Sequence, residues 1–573
     1  MIIKPTQNNS ELFFKAIESA SDGEIIQLEP TEYHFSPENA YEGEIYPSNN
    51  DGGIRKVGMC IRDKKNITID GNGAKLTFHG WMSPIIIENS ANIVLKNFTI
   101  DFAEPFLYQA VVAASTDREL ELRINKDIFP YTVQNKNVIW HTFAGDSEPR
   151  RIYIFDYDND SSTGRKKYIM TGMAIGKFAD EHKDSEWVHS PITDMDYPQF
   201  LLFDAYEKEN GNLLLKYRPN SSSLYYPPDS RLVLMVHNTS RTADTIFVDR
   251  SKDVAFENIT VHRGPAMGII AQCTQNISVK NFRIQVNKER GDLITTTADS
   301  MMFVDCKGDI TIHDCYVSDS LDDGLNVHST YVQVKSVSKN KVIAGLMHPQ
   351  QKGYNPFSAG DKVAFTNNET METIFTGNVV FSKILGDKKL LEITFDEPVP
   401  AYVKAGNVIE NISAQPNVEV MNTEYCRSTA ILIGTSGKVR FVNNKVNTRV
   451  GSFRIKDDPA EWYESGRTTD FLIENNTFYH CGEWSADCLI QILTRCTQLS
   501  VPFAPVHKNI RILNNTFIGT NKELLRANYV DGLVFSKNKY YLERKETGIG
   551  SDAVVDCGNC IHCVVADNEF NPS

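Results

Sequence analysis

The chain has 573 residues, 41% hydrophobic and 10% aromatic, with a formal net charge of -14. It is long enough for a large core and several domains, too aromatic and too modestly charged for disorder, and too acidic to grip a phosphate backbone, so nucleic acid is not an expected partner. No apolar run approaches the roughly 18 residues of a membrane helix, and "MIIKPTQNNS" lacks the charged start and apolar core of a signal peptide. The expectation is a cytoplasmic protein or a chain starting at a mature N-terminus.

The first predicted element is a helix in "NNSELFFKAIESASDG". Asn8 and Glu11 have the spacing of a capping box. Leu12, Phe13, Ala16, Ile17 and Ala20 form one apolar face, and Gly23 is expected to stop the helix. "EIIQLEPTEYHF" then begins the sheet.

A degenerate repeat follows: "NITIDGNGAKLTF" from Asn66, "NIVLKNFTID" from Asn92, "DVAFENITV" from Asp253, "NISVKNFRI" from Asn276 and "DITIHDCYV" from Asp309. It resumes at Lys438, Asp470 and Asn509, with later copies at Gly532 and Cys563. Each copy alternates polar and apolar residues, the period of a strand. The phase then slips by one residue at Lys96–Asn97, Asn258, Asn281 and Asp314, and near Asn444, Asn476 and Asn515. Such a slip would expose the second apolar pair unless the chain turned a corner, and Asn tolerates the left-handed backbone a corner needs. Copies recur about every 21 to 26 residues, the span of one solenoid coil. The predicted fold is all-β: a right-handed parallel β-helix with an N-terminal capping helix that covers the open lumen. A β-sandwich would use hairpins and would not repeat this way.

Two stretches interrupt the repeat. Residues 104–250 carry strand patterns such as "LELRI", "RIYIFDY", "NLLLKYR" and "RLVLMVHN"; residues 330–415 carry "VQVKSVSKNKVIAGL", "GDKVAFTN" and "LLEITFDEPVP". Each is expected to be an inserted antiparallel β-barrel. The predicted organisation is cap and first coils at 1–103, a barrel at 104–250, central coils at 251–329, a second barrel at 330–415, and C-terminal coils at 416–573.

The central coils hold the candidate chemistry. Removing the polar bulge "VNKERGDLITTT" aligns "ADSMMFV" with "DDGLNVH", so Asp299 stacks on Asp323, Met301 on Leu325 and Phe303 on Val327. With the apolar four inward, Asp299 and Asp323 are expected to face outward. Gly324 is expected to kink the chain and bring Asp322 to the same surface. Stacked positions lie about 4.8 Å apart, where carboxylates repel and titrate abnormally. No Lys or Arg stands close in sequence to neutralise them, and Asp-Gly by itself is a common turn pair. Clustered carboxylates suit glycosidic hydrolysis, in which one protonates the leaving oxygen and another activates water or attacks the anomeric carbon. The second insertion leaves directly after "DDGLNVHS" and should wall the site.

The chain has 11 cysteines, an odd number. Cys557, Cys560 and Cys563 in "CGNCIHC" suggest a metal, but no second ligand pair at zinc spacing is evident. Buried structural thiols are the expectation.

The stretch "ADSMMFVDC…HDCYVSDSLDDGLNVHS" resembles glycoside hydrolase family 110, exo-acting α-galactosidases that remove terminal α-1,3-linked galactose, including that of the blood group B determinant. "NFTIDFAEPFLYQA", "HRGPAMGIIAQCTQNI", "CRSTAILIGTSGKVRFVNN" and "EWYESG" are similar to family segments along nearly the whole chain. The resemblance implies a β-helix with barrel insertions, inversion of configuration, no metal or other cofactor, export from the cell, and Asp299, Asp322 and Asp323 as catalytic residues. By looser analogy with β-helical polygalacturonases, Asp322 is the acid and Asp299 and Asp323 position water. A galactose-terminated glycan is the implied partner; the oligomeric state, monomer or homo-oligomer, is open. Ser428 and Thr429, and Arg454 with Lys456 on the outward face, depart from the expected pattern and leave branched against linear acceptor preference open.

A galactose site needs an aromatic platform and polar partners for hydroxyls. Trp462 and Glu464 are the first candidates, with a packed loop as the plain alternative. Asn326 and His328 are expected beside Asp323. Arg427 and Arg454 are further candidates that solvated charge would also explain. Two other classes compete with the galactosidase: a polygalacturonase or pectate lyase, which should offer a basic groove or a Lys or Arg base with Ca²⁺, and a non-catalytic glycan-binding β-helix, which has no reason to stack unpaired acids.

Overall fold

The structure, a computed structural model, describes the chain except residues 149–150, 156–172, 176–199, 220, 222–227, 238–240, 483–487, 495–504, 520–522, 542–554 and 571–573. It is a right-handed parallel β-helix. Two sheets run along the rod, one of 22 strands and one of 13. Helix α1 (Asn9–Ser19) caps the first coil: Asn8 accepts the Glu11 N–H at 3.0 Å, and Glu11 accepts from the Asn8 amide at 3.0 Å. Phe13, Ala16 and Ile17 close the lumen as its first apolar layer. The helix ends at Ala20, earlier than expected, and Gly23 (φ 84°) serves the turn into the sheet instead.

The corners fall where the repeat slips phase. Asn97, Asn258, Asn281 and Asp314 have φ of 63°, 54°, 48° and 57°. Their side chains stack: Asn258 donates to Asn97 at 3.0 Å and Asn281 to Asn258 at 2.7 Å. A second, buried ladder runs through the C-terminal coils, where Asn476 donates to Asn515 at 2.9 Å, Asn515 to Asn538 at 3.1 Å, and Asn538 to Asn568 at 3.1 Å. Each rung also binds a backbone carbonyl of the preceding coil, as Asn515 does with Ile473 at 3.0 Å, so buried polar groups at the corner are paired. Between the corners, stacked residues such as Ile93, Val254, Ile277 and Ile310 fill the lumen in one continuous core. Burying each such side chain contributes about 1.5–3 kcal/mol.

Both interruptions fold as largely antiparallel units with their own cores, the one parallel pair described being Met173–Ile175 with Phe200–Leu201 in the first. In the first, eight described strands form a sheet whose edges are Phe200–Leu201 and Phe203–Glu207. A single residue, Leu202, separates these edge strands, and no pairing between them is seen among the described residues. The second closes outright: Val332–Ser338, Lys341–Leu346, Leu390–Phe395, Thr373–Ile384, Lys362–Thr366 and Val408–Asn411 follow one another around a six-stranded barrel.

Six short strands frame the site: β1 (Ile269–Gln272), β2 (Met301–Val304), β3 (Leu325–Thr330), β4 (Ile431–Ile433), β5 (Phe453–Asp457) and β6 (Glu464–Ser465). The first five stack in parallel, and β6 returns antiparallel to β3. The bulge before β2 is pinned by buried ions. Arg290 makes two 2.9 Å bonds to Asp101, and Arg263 pairs with Asp292.

Candidate active site

Strands β2 and β3 pair Met302 with Asn326, Phe303 with Val327 and Val304 with His328. That is the register expected from sequence. Carried three residues back from Met302 and Asn326 it sets Asp299 over Asp323, and the intervening Ser300 N–H donates to the Asp323 carbonyl at 2.8 Å. Both acids precede their strands, which begin at Met301 and Leu325. Strict alternation with inward Met301 and Leu325 would send them into the lumen. The entry corner, and not the pleat invoked from sequence, turns their carboxyls outward. Gly324 stands just before β3, outside the residues paired with β2. It is a close-approach position: a Cβ there would lie 2.6 Å from Ser428 Oγ and 2.9 Å from the Tyr425 ring.

Carboxylate oxygens of Asp299, Asp322 and Asp323 lie within 4.8 Å of one another. Asp299 and Asp323 are 4% and 9% exposed, whereas the Asp322 side chain keeps 34%. Desolvation, and then the neighbouring Asp322 and Asp323 charges, push the Asp299 carboxyl well above its usual range. Asp323 is pushed up to about 8, again by burial first and by Asp322 second. The abnormal titration matches the expectation from sequence, but repulsion is the lesser cause.

A cation neutralises the cluster after all, from far away in sequence. Arg241, 81 residues before Asp322, donates from Nη2 to Asp322 Oδ2 at 2.5 Å. Its Nη1 donates to the Asn49 carbonyl at 2.9 Å, and the Asp51 N–H donates to its own carbonyl at 3.1 Å. The guanidinium places a positive charge directly beside Asp322. The sulfurs of "CGNCIHC" do not gather into a metal site: Cys557 and Cys563 Sγ are 2.8 Å apart, but Cys560 donates to the Ala527 carbonyl. Among the described residues the acid trio is the one group of three with ligand atoms this close.

The other candidates divide. Asn326 is buried with Oδ1 unpartnered, and the buried His328 ring lies 3.6 Å from Glu464 Oε1. Glu464 is held by β6, where it pairs with Thr330 of β3, and its charge acts on both Asp299 and Asp323. Arg454, on β5 two coils beyond Asn326, has a buried Nε without a partner and acts electrostatically on Asp323. Arg427 is not brought to the trio; its guanidinium forks onto Asp319, with Nη2 at 2.6 Å from Oδ2. Lys456 pairs with the buried Asp458 at 2.7 Å. Asp458 in turn accepts the Glu461 N–H at 2.9 Å, holding the turn that carries Trp462.

Trp462 stacks on His348 with centroids 4.8 Å apart and planes 22° from parallel. His348 comes from the second insertion. Burial, then Arg241, pulls its pKa down to about 4, so it is neutral above pH 5. Its Nδ1 accepts the Gln350 N–H at 3.3 Å, which leaves the proton on Nε2. Gln351 donates to Asn49 Oδ1 at 3.3 Å and keeps a buried, unpartnered Oε1. Asn49, Arg241, His348 and Gln351 have no sequence signal. They come from a loop and from the insertions, where no repeat sets their register.

A family model described as GLAA-B beta-barrel domain II matches residues 341–409, within the second insertion. Alpha-1,3-galactosidase A of Shewanella woodyi is 30% identical over 528 residues, covering 90% of this chain and 80% of that protein. The chain belongs to the α-1,3-galactosidase family. Alpha-1,3-galactosidase B of Bacteroides thetaiotaomicron is 28% identical over 534 residues, covering 91% and 82%. Family membership makes the chain a glycoside hydrolase. Similar solved structures include an Erwinia carotovora polygalacturonase (9% identity, 99% and 95% covered, TM-score 0.39) and the A-module of the Azotobacter vinelandii mannuronan C-5 epimerase AlgE6 (9%, 100% and 97%, TM-score 0.43). No described helix is long and apolar enough to cross a membrane.

Proposed function

We propose that this protein is an exo-acting α-galactosidase that hydrolyses terminal α-1,3-linked galactose from glycans, blood group B type or linear, with inversion and with Asp299, Asp322 and Asp323 as its catalytic residues. The observation that carries the reading is the meeting of three carboxyls from adjacent coils, in a chain of α-1,3-galactosidase type. Asp299 and Asp323, one above the other, hold and deprotonate the attacking water. Asp322, the most exposed of the three, faces the side from which the glycosidic oxygen enters and delivers the proton. Burial holds both Asp299 and Asp323 above the usual carboxylate range; whichever of the pair is ionised takes a proton from the water while Asp322 gives one to the leaving oxygen. Asn326, His328, Glu464, Arg454 and the Trp462 ring surround the sugar. Coils at 1–103, 251–329 and 416–573, with insertions at 104–250 and 330–415, are the working domains, and export fits a glycan substrate outside the cell.

The separation of the acids favours a second reading of the stereochemistry. Inverting pairs usually stand about 6.5–9.5 Å apart and retaining pairs about 5–5.5 Å; oxygens within 4.8 Å suit a double displacement with a covalent intermediate. Hydrolysis of nitrophenyl α-galactoside and of Gal-α-1,3-Gal in EDTA, followed by proton NMR, tests both. β-Galactose as the first anomer supports inversion, and α-galactose supports retention. Absence of hydrolysis, or full activity in Asp323→Asn, refutes the assignment of the trio. Calcium-dependent unsaturated products would mean a lyase, and tight binding without turnover a lectin-like role.

A further inference from the structure

Four carboxyls, Asp299, Asp322, Asp323 and Glu464, crowd one face of the rod, and two guanidiniums, Arg241 and Arg454, face them. The charges do not cancel unless protons make up the difference. Arg241 touches the cluster directly, through Asp322 Oδ2, and it is partly buried, with 16% of its side chain exposed. Its other arm is fixed by the Asn49 carbonyl, and its backbone by Asp51. It therefore approaches Asp322 in one orientation.

We propose that Arg241 is a positioning residue for the reaction: it orients the Asp322 carboxyl and supplies the positive charge against which the acid cluster is balanced. The inference rests on the catalytic reading of the trio. It adds that the site is incomplete on the rod alone, because its counter-charge comes from the segment that rejoins the first insertion to the coils. The groups facing Arg241 are Asp322, Asp299, Asp323 and the buried Asp244, with His348 close by from the second insertion. Its charge favours the ionised forms of Asp299 and Asp323. Removing it lets both hold their protons to higher pH, and a base that must be ionised then works only at higher pH.

The test compares wild type, Arg241→Gln and Arg241→Lys. It measures kcat/KM on nitrophenyl α-galactoside from pH 4 to 9, with melting temperatures across the same range. Arg241→Gln should move the acidic limb upward by about 1–3 pH units, and Arg241→Lys should keep the limb near its wild-type position while kcat falls because the fixed fork is lost. A uniform loss with unmoved limbs in Arg241→Gln, or a full shift in Arg241→Lys, overturns the proposal. Should Arg241→Gln fail to fold, the Lys variant alone decides. A wild type that hydrolyses no α-galactoside refutes the catalytic reading separately. The charge balance is then read from melting, where the fall in stability with rising pH should extend to higher pH in Arg241→Gln; coincident curves refute it.

Discussion

Replacing Asp323 with Asn should stabilise the protein at pH 8 while removing its hydrolytic activity. In the folded chain Asp323 is buried and its carboxyl is pushed up to about 8; in the unfolded chain it ionises near the ordinary value of about 3.9. A raised carboxyl pKa means that the folded state binds the extra proton. Its contribution is fully present below pH 4 and is lost as pH climbs through the window from 4 to 8. Each unit in that window costs about 1.4 kcal/mol, so the ceiling at pH 8 is roughly 5 kcal/mol. Coupling to Asp299 and Asp322 spreads the cost, and about 2–4 kcal/mol is expected to be recovered by the neutral amide. The amide side chain fits the space of the carboxyl it replaces, and the backbone bonds of residue 323 to Asp322 and Ser300 are untouched. Melting temperatures of wild type and Asp323→Asn at pH 8 and pH 4.5 check this. The variant should melt higher by a few degrees at pH 8 and show little or no gain at pH 4.5. An equal difference at both pH values, or destabilisation at pH 8, would refute the claim that the site holds a carboxyl at the expense of stability.

Asp322→Asn should lose Gal-α-1,3-Gal hydrolysis by about 100-fold or more and nitrophenyl galactoside hydrolysis far less, because nitrophenolate leaves without a proton; Asp299→Asn and Asp323→Asn should lose both alike, as kcat for the two substrates will tell. Gly324→Ala places a methyl against Ser428 and Tyr425 and should cost about 1–3 kcal/mol, read by thermal denaturation. Asn515→Ala breaks its bonds to Ile473, Asn538 and Asn476 and leaves buried groups unpaired at about 1–3 kcal/mol each, with early loss of protection in the C-terminal coils by hydrogen exchange. Trp462→Ala removes the stack on His348 and should raise KM more than it lowers kcat in steady-state assays.

The coils are legible because a solenoid states its own register. Apolar alternation, the one-residue slip and the Asn at the corner recur, so neighbouring copies align and the pairing of Asp299 with Asp323 follows before any coordinate is known. The same regularity explains the near misses. Alternation fails past the ends of β2 and β3, and Gly324 has the look of a kink when the next coil's Ser428 and Tyr425 are what demand its bareness. Arg427 lies two residues before the loop that packs near Asp322, yet a left-handed backbone (φ 61°) and the buried Asp319 claim it for the corner. Arg241 and His348 are invisible to these means. Their places depend on how each insertion folds back on the rod, and nothing periodic in the sequence encodes that.

This division suggests why such chemistry sits on a β-helix. Hydrogen-bonded coils hold stacked residues at a spacing the protein cannot relax, so two carboxyls that repel and resist burial are kept together by the whole ladder on either side. The lumen core and the Asn ladders supply that rigidity at a distance from the reaction. The insertions face the opposite requirement. They deliver Arg241 to Asp322 and His348 to Trp462 from segments free of the repeat, and so can change which sugar is enclosed, or how many protons the cluster carries, without disturbing the stack. Substitutions that alter the pH profile or the acceptor preference should therefore map to the insertions and to the 46–53 loop. Substitutions that unfold the protein should map to the corners and lumen.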